Sequence, residues 1–216
     1  MLLPQGLKQG LYRRVFGWRI GRGVRIGCSY LDAAQMSLGD GVRIGHFNII
    51  RNVARLEIGR GSVLENFNQF FGTRLPDVSL PSELVMGEQV SFMSRHFVDV
   101  TGSVHIGSRT VVAGRDSQFW SHTLALAEKG YAFQPTHLRI GEDVYIGARA
   151  TLVAGSVPAG AIVGAGSVVT KSFAPEAARV LIAGNPAVVK KRYLPPEAPP
   201  PDAAPPAGPL QNTHED

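Results

Sequence analysis

Six histidines, His46, His96, His105, His122, His137 and His214, are the side chains of this sequence best suited to move a proton near neutral pH. An imidazole with its ordinary pKa of about 6.5 is mostly neutral in the cell and still a useful acceptor. Position separates the six. His214 lies in a Pro- and Ala-rich stretch, and His46 and His105 fall on ordinary corner or face positions of a six-residue repeat described below. His122 stands where that repeat stops and a long excursion, HTLALAEKGYAFQPTHLR, begins. Phe119 and Trp120, just ahead of it, either offer a flat apolar wall to a substrate or pack under the excursion. His96 is the second candidate. Counting in sixes sets it under Asp116, where a histidine and a carboxylate on neighbouring rungs would fix a tautomer or orient a hydroxyl; the plainer reading is two solvated neighbours. No metal is expected. Cys28 is the one cysteine, so there is neither a disulfide nor a thiolate cluster, and the histidines lack the close pairing of a zinc site.

These side chains need a scaffold, and the repeat supplies one. Apolar residues recur every sixth position at Ile20 and Ile26, at Leu38, Ile44 and Ile50, at Ile58, Leu64 and Phe70, and at Met86, Phe92 and Val98. The series goes on through Ile106 and Val112, Ile140, Ile146 and Leu152, and Val157, Val163 and Val169, with glycine directly after many of these residues. A period of six matches neither the 3.6-residue helix nor alternating hairpin strands. It matches a triangular coil in which each hexapeptide is a short strand and a corner, and three make one turn. About seven such coils are expected over residues 18–172, each pairing its backbone with the coils above and below. Asp32 and Gln118 occupy slots where an inward apolar residue belongs. For Asp32 a slip of one residue, with Leu31 taking the slot, is the simple explanation.

The count breaks at two insertions, near 71–85 and 122–138, which must loop out from the prism and are natural places for binding or catalytic groups. Residues 1–17 are expected to include a short amphipathic helix that caps the first coil, with a membrane-surface helix as the alternative. Residues 173–194 form a second cap. The Pro- and Ala-rich residues 195–216 hold too little apolar material to pack and are expected to be disordered. The formal net charge of +5 and pI near 9.7 permit contact with anionic lipid, nucleic acid or a phosphorylated ligand without choosing among them. The basic residues gather at Arg13, Arg14, Arg19, Arg22 and Arg25 and again at Lys190, Lys191 and Arg192. The N-terminal sequence lacks the continuous apolar stretch of a signal peptide, and no segment is long enough to span a bilayer, so a cytoplasmic protein is expected.

The stretch from Ile140 to Tyr193 contains GAGSVVTK followed about one coil later by AGNPA. In that order the two motifs resemble the C-terminal half of the hexapeptide-repeat acyltransferases, which include galactoside, maltose and serine acetyltransferases. The upstream AGRDSQFWSHT is most similar to the branch that acetylates sugars in polysaccharide and surface-glycan assembly. The resemblance implies an all-β fold, a left-handed parallel β-helix with short terminal helices, that assembles as a homotrimer with acyl-CoA between subunits. It implies acetyl transfer from acetyl-CoA, a co-substrate, to a sugar or glycan hydroxyl, with His122 as general base; the coil count, separately, keeps His96 and Asp116 as further catalytic candidates. Phe119 and Trp120 would face the sugar ring or the pantetheine arm. Gly147, Ala148, Gly166 and Ser167 would let the pantetheine approach the late coils, and Lys171, Lys190, Lys191 and Arg192 would meet the phosphates. Nucleic acid is not an expected partner, and weak membrane-surface contact through the basic N-terminus is the alternative to a simple cap. The alternatives are N-acylation of an amino-sugar nucleotide and, in another class, a zinc-dependent γ-type carbonic anhydrase. Serine acetyltransferase activity is not expected, since the residues ahead of the repeat do not resemble that enzyme's long helical N-terminal domain.

Overall fold

The structure is a computed structural model, which describes residues 5–73, 79–126, 128, 130–175 and 178–193. Short parallel strands stack into three ladders, and one inward side chain per strand fills the space between them. The first ladder stacks Ile20, Leu38, Ile58, Met86, Ile106, Ile140 and Val157. The second runs Ile26, Ile44, Leu64, Phe92, Val112, Ile146 and Val163, and Ile182 extends it. The third runs Leu31, Ile50, Phe70, Val98, Phe119, Leu152 and Val169. Every residue that the six-residue spacing assigned inward is buried. Leu31 takes the slot that the count gave to Asp32, and the register shifts between Leu31 and Ala33. A further inward column, Met36, Leu56, Leu84, Val104 and Leu138, lines one broad corner and was not part of the spacing pattern.

The glycine that follows so many inward residues is required by the closeness of the coils. A Cβ on Gly59 would lie 2.4 Å from the backbone carbonyl of Gly87 on the next coil, which no side chain can tolerate.

Gln118 is exposed, and Phe119 fills the inward slot instead. The turn between Val112 and Phe119 holds one residue more than the turn between Phe92 and Val98. Gly114, with φ +67, provides the left-handed residue that absorbs it, and a Cβ there would meet the Ala148 methyl at 2.5 Å. This one-residue shift also changes which residues stack outside the prism, with consequences for the candidate site.

The helix Gln5–Val15 closes the N-terminal end. Lys8 is buried, and its Nζ donates to the carbonyls of Ile26 and Gly27 at 2.9 and 3.0 Å. Gln9 Nε2 donates to Val24 O at 2.6 Å, and an Arg13 guanidinium nitrogen donates to Ile20 O at 2.6 Å. The first coil has no coil beneath it to use those carbonyls, so the helix supplies the missing donors. The C-terminal end differs from the expected short terminal helix. Strands Val180–Gly184 and Ala187–Arg192 form an antiparallel hairpin that adds to the second ladder. Alternation in VLIAG and AVVKKR places Val180, Ile182 and Ala187 inward, a period of two that overrides any helical pattern. The tail 195–216 and residues 74–78 of the first excursion lie outside the described residues.

Candidate active site

The second excursion leaves the prism as an antiparallel hairpin, His122–Leu126 paired with Tyr131–Pro135. Its base is pinned where the chain passes closest to itself. Thr136 N donates to Ser121 O at 2.7 Å, and Ser103 N donates to Thr136 O at 3.1 Å. Gly102 lies against this crossing: a Cβ there would come within 2.0 Å of Thr136 O and 2.3 Å of Ser121 O. His122 is the first residue of the hairpin, held by the prism on one side and by the returning strand on the other.

Beneath His122 lies Asp99, which the sequence reading did not single out. Its carboxylate Oδ2 is 2.8 Å from His122 Nδ1 and accepts from Ser121 N at 3.0 Å. Oδ1 accepts from Thr101 N at 3.3 Å and from the Thr101 hydroxyl. Because the Thr101 proton goes to Asp99, the Thr73 hydroxyl, 2.8 Å from Thr101 Oγ1, is the donor in that pair. Asp99, Thr101 and Ser121 are all buried, so both carboxylate oxygens are held by fixed donors away from water. This network assigns the imidazole tautomer: Nδ1–H donates to Asp99, and Nε2 carries the lone pair. The His122 side chain is 27% exposed. Phe133 stacks on the ring at 4.9 Å and Trp120 meets it edge-on at 6.0 Å, fixing its plane. Trp120, His122, Thr123, Leu124 and Val153 line an open depression.

The expected pairing of His96 with Asp116 does not form. With Phe119 above Val98, Asp116 stacks over Arg95, and their side chains approach to 3.6 Å. His96 instead belongs to a corner ladder of buried polar residues. Asn68 N donates to Asn48 Oδ1 at 2.9 Å, His96 N donates to Asn68 Oδ1 at 2.9 Å, and Ser117 N donates to His96 Nδ1 at 3.1 Å. The ring packs edge-on against Phe92 at 5.1 Å. Burial lowers the His96 pKa to about 4, partly offset by the Asp116 charge. A ring whose Nδ1 must accept from Ser117 is neutral, and its position inside the corner separates it from the His122 depression.

Phe119 is wholly buried and packs against Phe92 at 5.8 Å, so it is a core residue and no wall of a substrate site. Trp120 is half-buried on the outer surface, packs against Phe97 at 5.1 Å, and lines the depression. Gly147 and Ser167 are turned inward. A Cβ on Gly147 would meet Ala165 N at 2.6 Å, and Ser167 Oγ accepts from Gly184 N at 3.3 Å. Ala148 and Gly166 are accessible on adjacent coils, linked by Gly166 N donating to Ala148 O at 2.9 Å, and a side chain on Gly166 would meet open space. Lys171, Lys190, Lys191 and Arg192 are all exposed, Lys171 after the last inward residue of the third ladder and the other three on the C-terminal hairpin. Among the described residues, no group of three His, Cys, Asp or Glu side chains is arranged to hold a metal ion.

Three parallel ladders built from a six-residue repeat define a left-handed parallel β-helix. Among solved structures the chain resembles the polySia-specific acetyltransferase NeuO, at 20% identity over 81% of this chain and 86% of that one, with a TM-score of 0.54. It also resembles AntD, an N-acyltransferase from Bacillus cereus in complex with dTDP and 3-hydroxybutyryl-CoA, at 17% identity over 86% and 87% of the two chains, with a TM-score of 0.49. No family model matches the chain, and no curated protein does. At these identities the likeness establishes the fold, and the chemistry rests on the site itself.

Proposed function

We propose that this protein transfers an acyl group, acetyl foremost, from acyl-CoA to a hydroxyl of a sugar or glycan precursor, with His122 as general base. The observation that carries this reading is the 2.8 Å contact between His122 Nδ1 and buried Asp99 at the foot of the hairpin, which leaves Nε2 unprotonated on a ring that lines the depression beside Trp120. Acyl-CoA supplies an activated thioester, so the enzyme needs a base for the acceptor hydroxyl and a fixed approach for both partners. His122 Nε2 takes the hydroxyl proton as the oxygen attacks. Asp99 steadies the imidazolium while it lasts, and His122 then gives the proton to the departing thiolate. Trp120 offers a flat apolar surface to a sugar ring.

The exposed cations Lys171, Lys190, Lys191 and Arg192 fit the phosphates of the donor, and Ala148 and Gly166 leave room for its pantetheine arm. The AntD structure contains an acyl-CoA. We further infer a homotrimer, in which flat prism faces bury one another by three-fold closure, acting in the cytoplasm where acyl-CoA is made. Among the described residues no helix is long and apolar enough to cross a membrane.

The test is release of free thiol from acetyl-CoA on addition of neutral sugars, acidic glycans and nucleotide sugars. A hydroxyl acceptor that accelerates release and becomes acetylated supports the proposal. Transfer confined to amine acceptors replaces it with N-acylation, and no acceptor-dependent release with any of these compounds contradicts acyl transfer.

A further inference from the structure

On the N-terminal helix one apolar side chain, Tyr12, is buried against Trp18, but most of the inward groups are polar. A helix packed on a globular core turns its apolar stripe inward. Here the inward side chains include Lys8, Gln9 and Arg13, which serve the open carbonyls of the first coil. Leu7, Leu11 and Val15, spaced by four, lie away from that face and are 65%, 36% and 64% exposed, while Phe16, 53% exposed, follows the helix with its ring stacked on Trp18 at 4.8 Å. Among the described residues none covers this stripe.

Charge is gathered at the same end. Of the chain's 22 basic and 17 acidic residues, six basic and no acidic ones fall within the first 31 positions, so the other 185 residues together carry a net charge of −1. Arg14 on the helix and Arg19, Arg22 and Arg25 on the first coil are all exposed. A second copy laid end-to-end on this stripe would bring two such clusters together, whereas an anionic surface would neutralise them.

We propose that the N-terminal end is a docking surface for an anionic lipid bilayer, with Leu7, Leu11 and Val15 entering the interface and the surrounding arginines meeting lipid headgroups. The combination of an apolar stripe with a basic rim is the pattern of an interfacial helix, and it carries charge of the sign that the cytoplasmic leaflet attracts. Docking by this end would leave the side of the prism, with His122, facing water.

The experiment is co-sedimentation of the full chain with vesicles of phosphatidylcholine alone and of phosphatidylcholine with about 30 mol % phosphatidylserine. The wild-type protein should sediment with the anionic vesicles only, and less so as salt is raised. The triple variant Leu7→Ser, Leu11→Ser, Val15→Ser should lose at least about tenfold in partitioning while its melting temperature is kept, because these side chains point away from the prism. Arg14→Glu, a single exposed change that leaves the apolar stripe intact, should weaken binding in the same direction. Failure of the wild type to sediment with anionic vesicles overturns the proposal, as does equal binding by both variants. A change of molecular mass in solution caused by the triple substitution would assign the stripe to a second copy of the chain and overturn it as well.

Discussion

Asp99 and His122 are 23 residues apart in sequence and 2.8 Å apart in space, because the chain between them makes one circuit of the prism. The carboxylate is already held by Ser121 N and by Thr101 when it meets the imidazole, so the geometry of the pair is set before a substrate arrives. This arrangement allows the role of each group to be tested separately.

Asp99→Asn keeps the size of the side chain and removes its charge. The amide cannot accept from Ser121 N, Thr101 and His122 Nδ1 at once, so a donor is left facing a donor and the imidazole loses its assigned tautomer. Turnover should fall by about 10² to 10⁴, with the KM for acyl-CoA changed by less than about threefold. Stability should fall by about 1–3 kcal/mol. Steady-state kinetics on protein shown by circular dichroism to be folded would check this, and a kcat near wild type would remove Asp99 from the mechanism.

His96 gives the fold a dependence on acid that is separate from catalysis. Its pKa is lowered from 6.5 to about 4 in the folded chain, so the unfolded chain binds more protons between those values. Stability is therefore full above pH 6.5 and should decline as pH falls toward 4, by up to roughly 3 kcal/mol from this residue. Burial also lowers the His105 pKa, helped by the charge of Arg139, and acts in the same direction. His96→Asn preserves an acceptor for Ser117 N and should flatten most of this decline. Urea unfolding at a series of pH values distinguishes the outcomes; an equal acid slope in the variant would show that His96 is not its source.

Ile146 sits between Val112 and Val163 in the second ladder and is wholly buried. Ile146→Asp would place a carboxylate where nothing can hydrate or pair it, and should destabilise the protein by at least about 4 kcal/mol or prevent folding. Thermal melting reads this directly. A midpoint within a few degrees of wild type would mean that the inward register of that coil is wrong.

The prism was legible because its physics is local and periodic: one apolar residue in six must point inward, and the next is often glycine because the following coil lies 2.4 Å from where a Cβ would be. The site was legible only in part. His122 and Trp120 stood out because the repeat stops beside them. Asp99 did not, since a lone aspartate after an inward valine has no local signature and all its side-chain partners but Thr101 come from the next coil. A usable signal was nonetheless present in Phe119. Choosing that apolar residue over Gln118 for the inward slot stacks it on Val98, which brings Asp99 beneath Trp120 and Ser121 and stacks Asp116 on Arg95 in place of His96. The extra residue near Gly114 concealed that register, because a six-residue count has no means of marking where a corner is lengthened. The C-terminal hairpin was missed for a related reason: its strands follow a period of two after a long run of six.

The most direct test of the account is acceptor-dependent acyl transfer by His122→Ala, with acyl-CoA binding measured in parallel on the same folded protein. Loss of the general base should lower turnover by about 10² to 10⁴. Acyl-CoA affinity should stay near wild type, because the cations proposed to hold the phosphates lie elsewhere, and His96→Asn should leave turnover largely unchanged. Near-normal turnover in His122→Ala would contradict the account, and would do so decisively if His96→Asn abolished it.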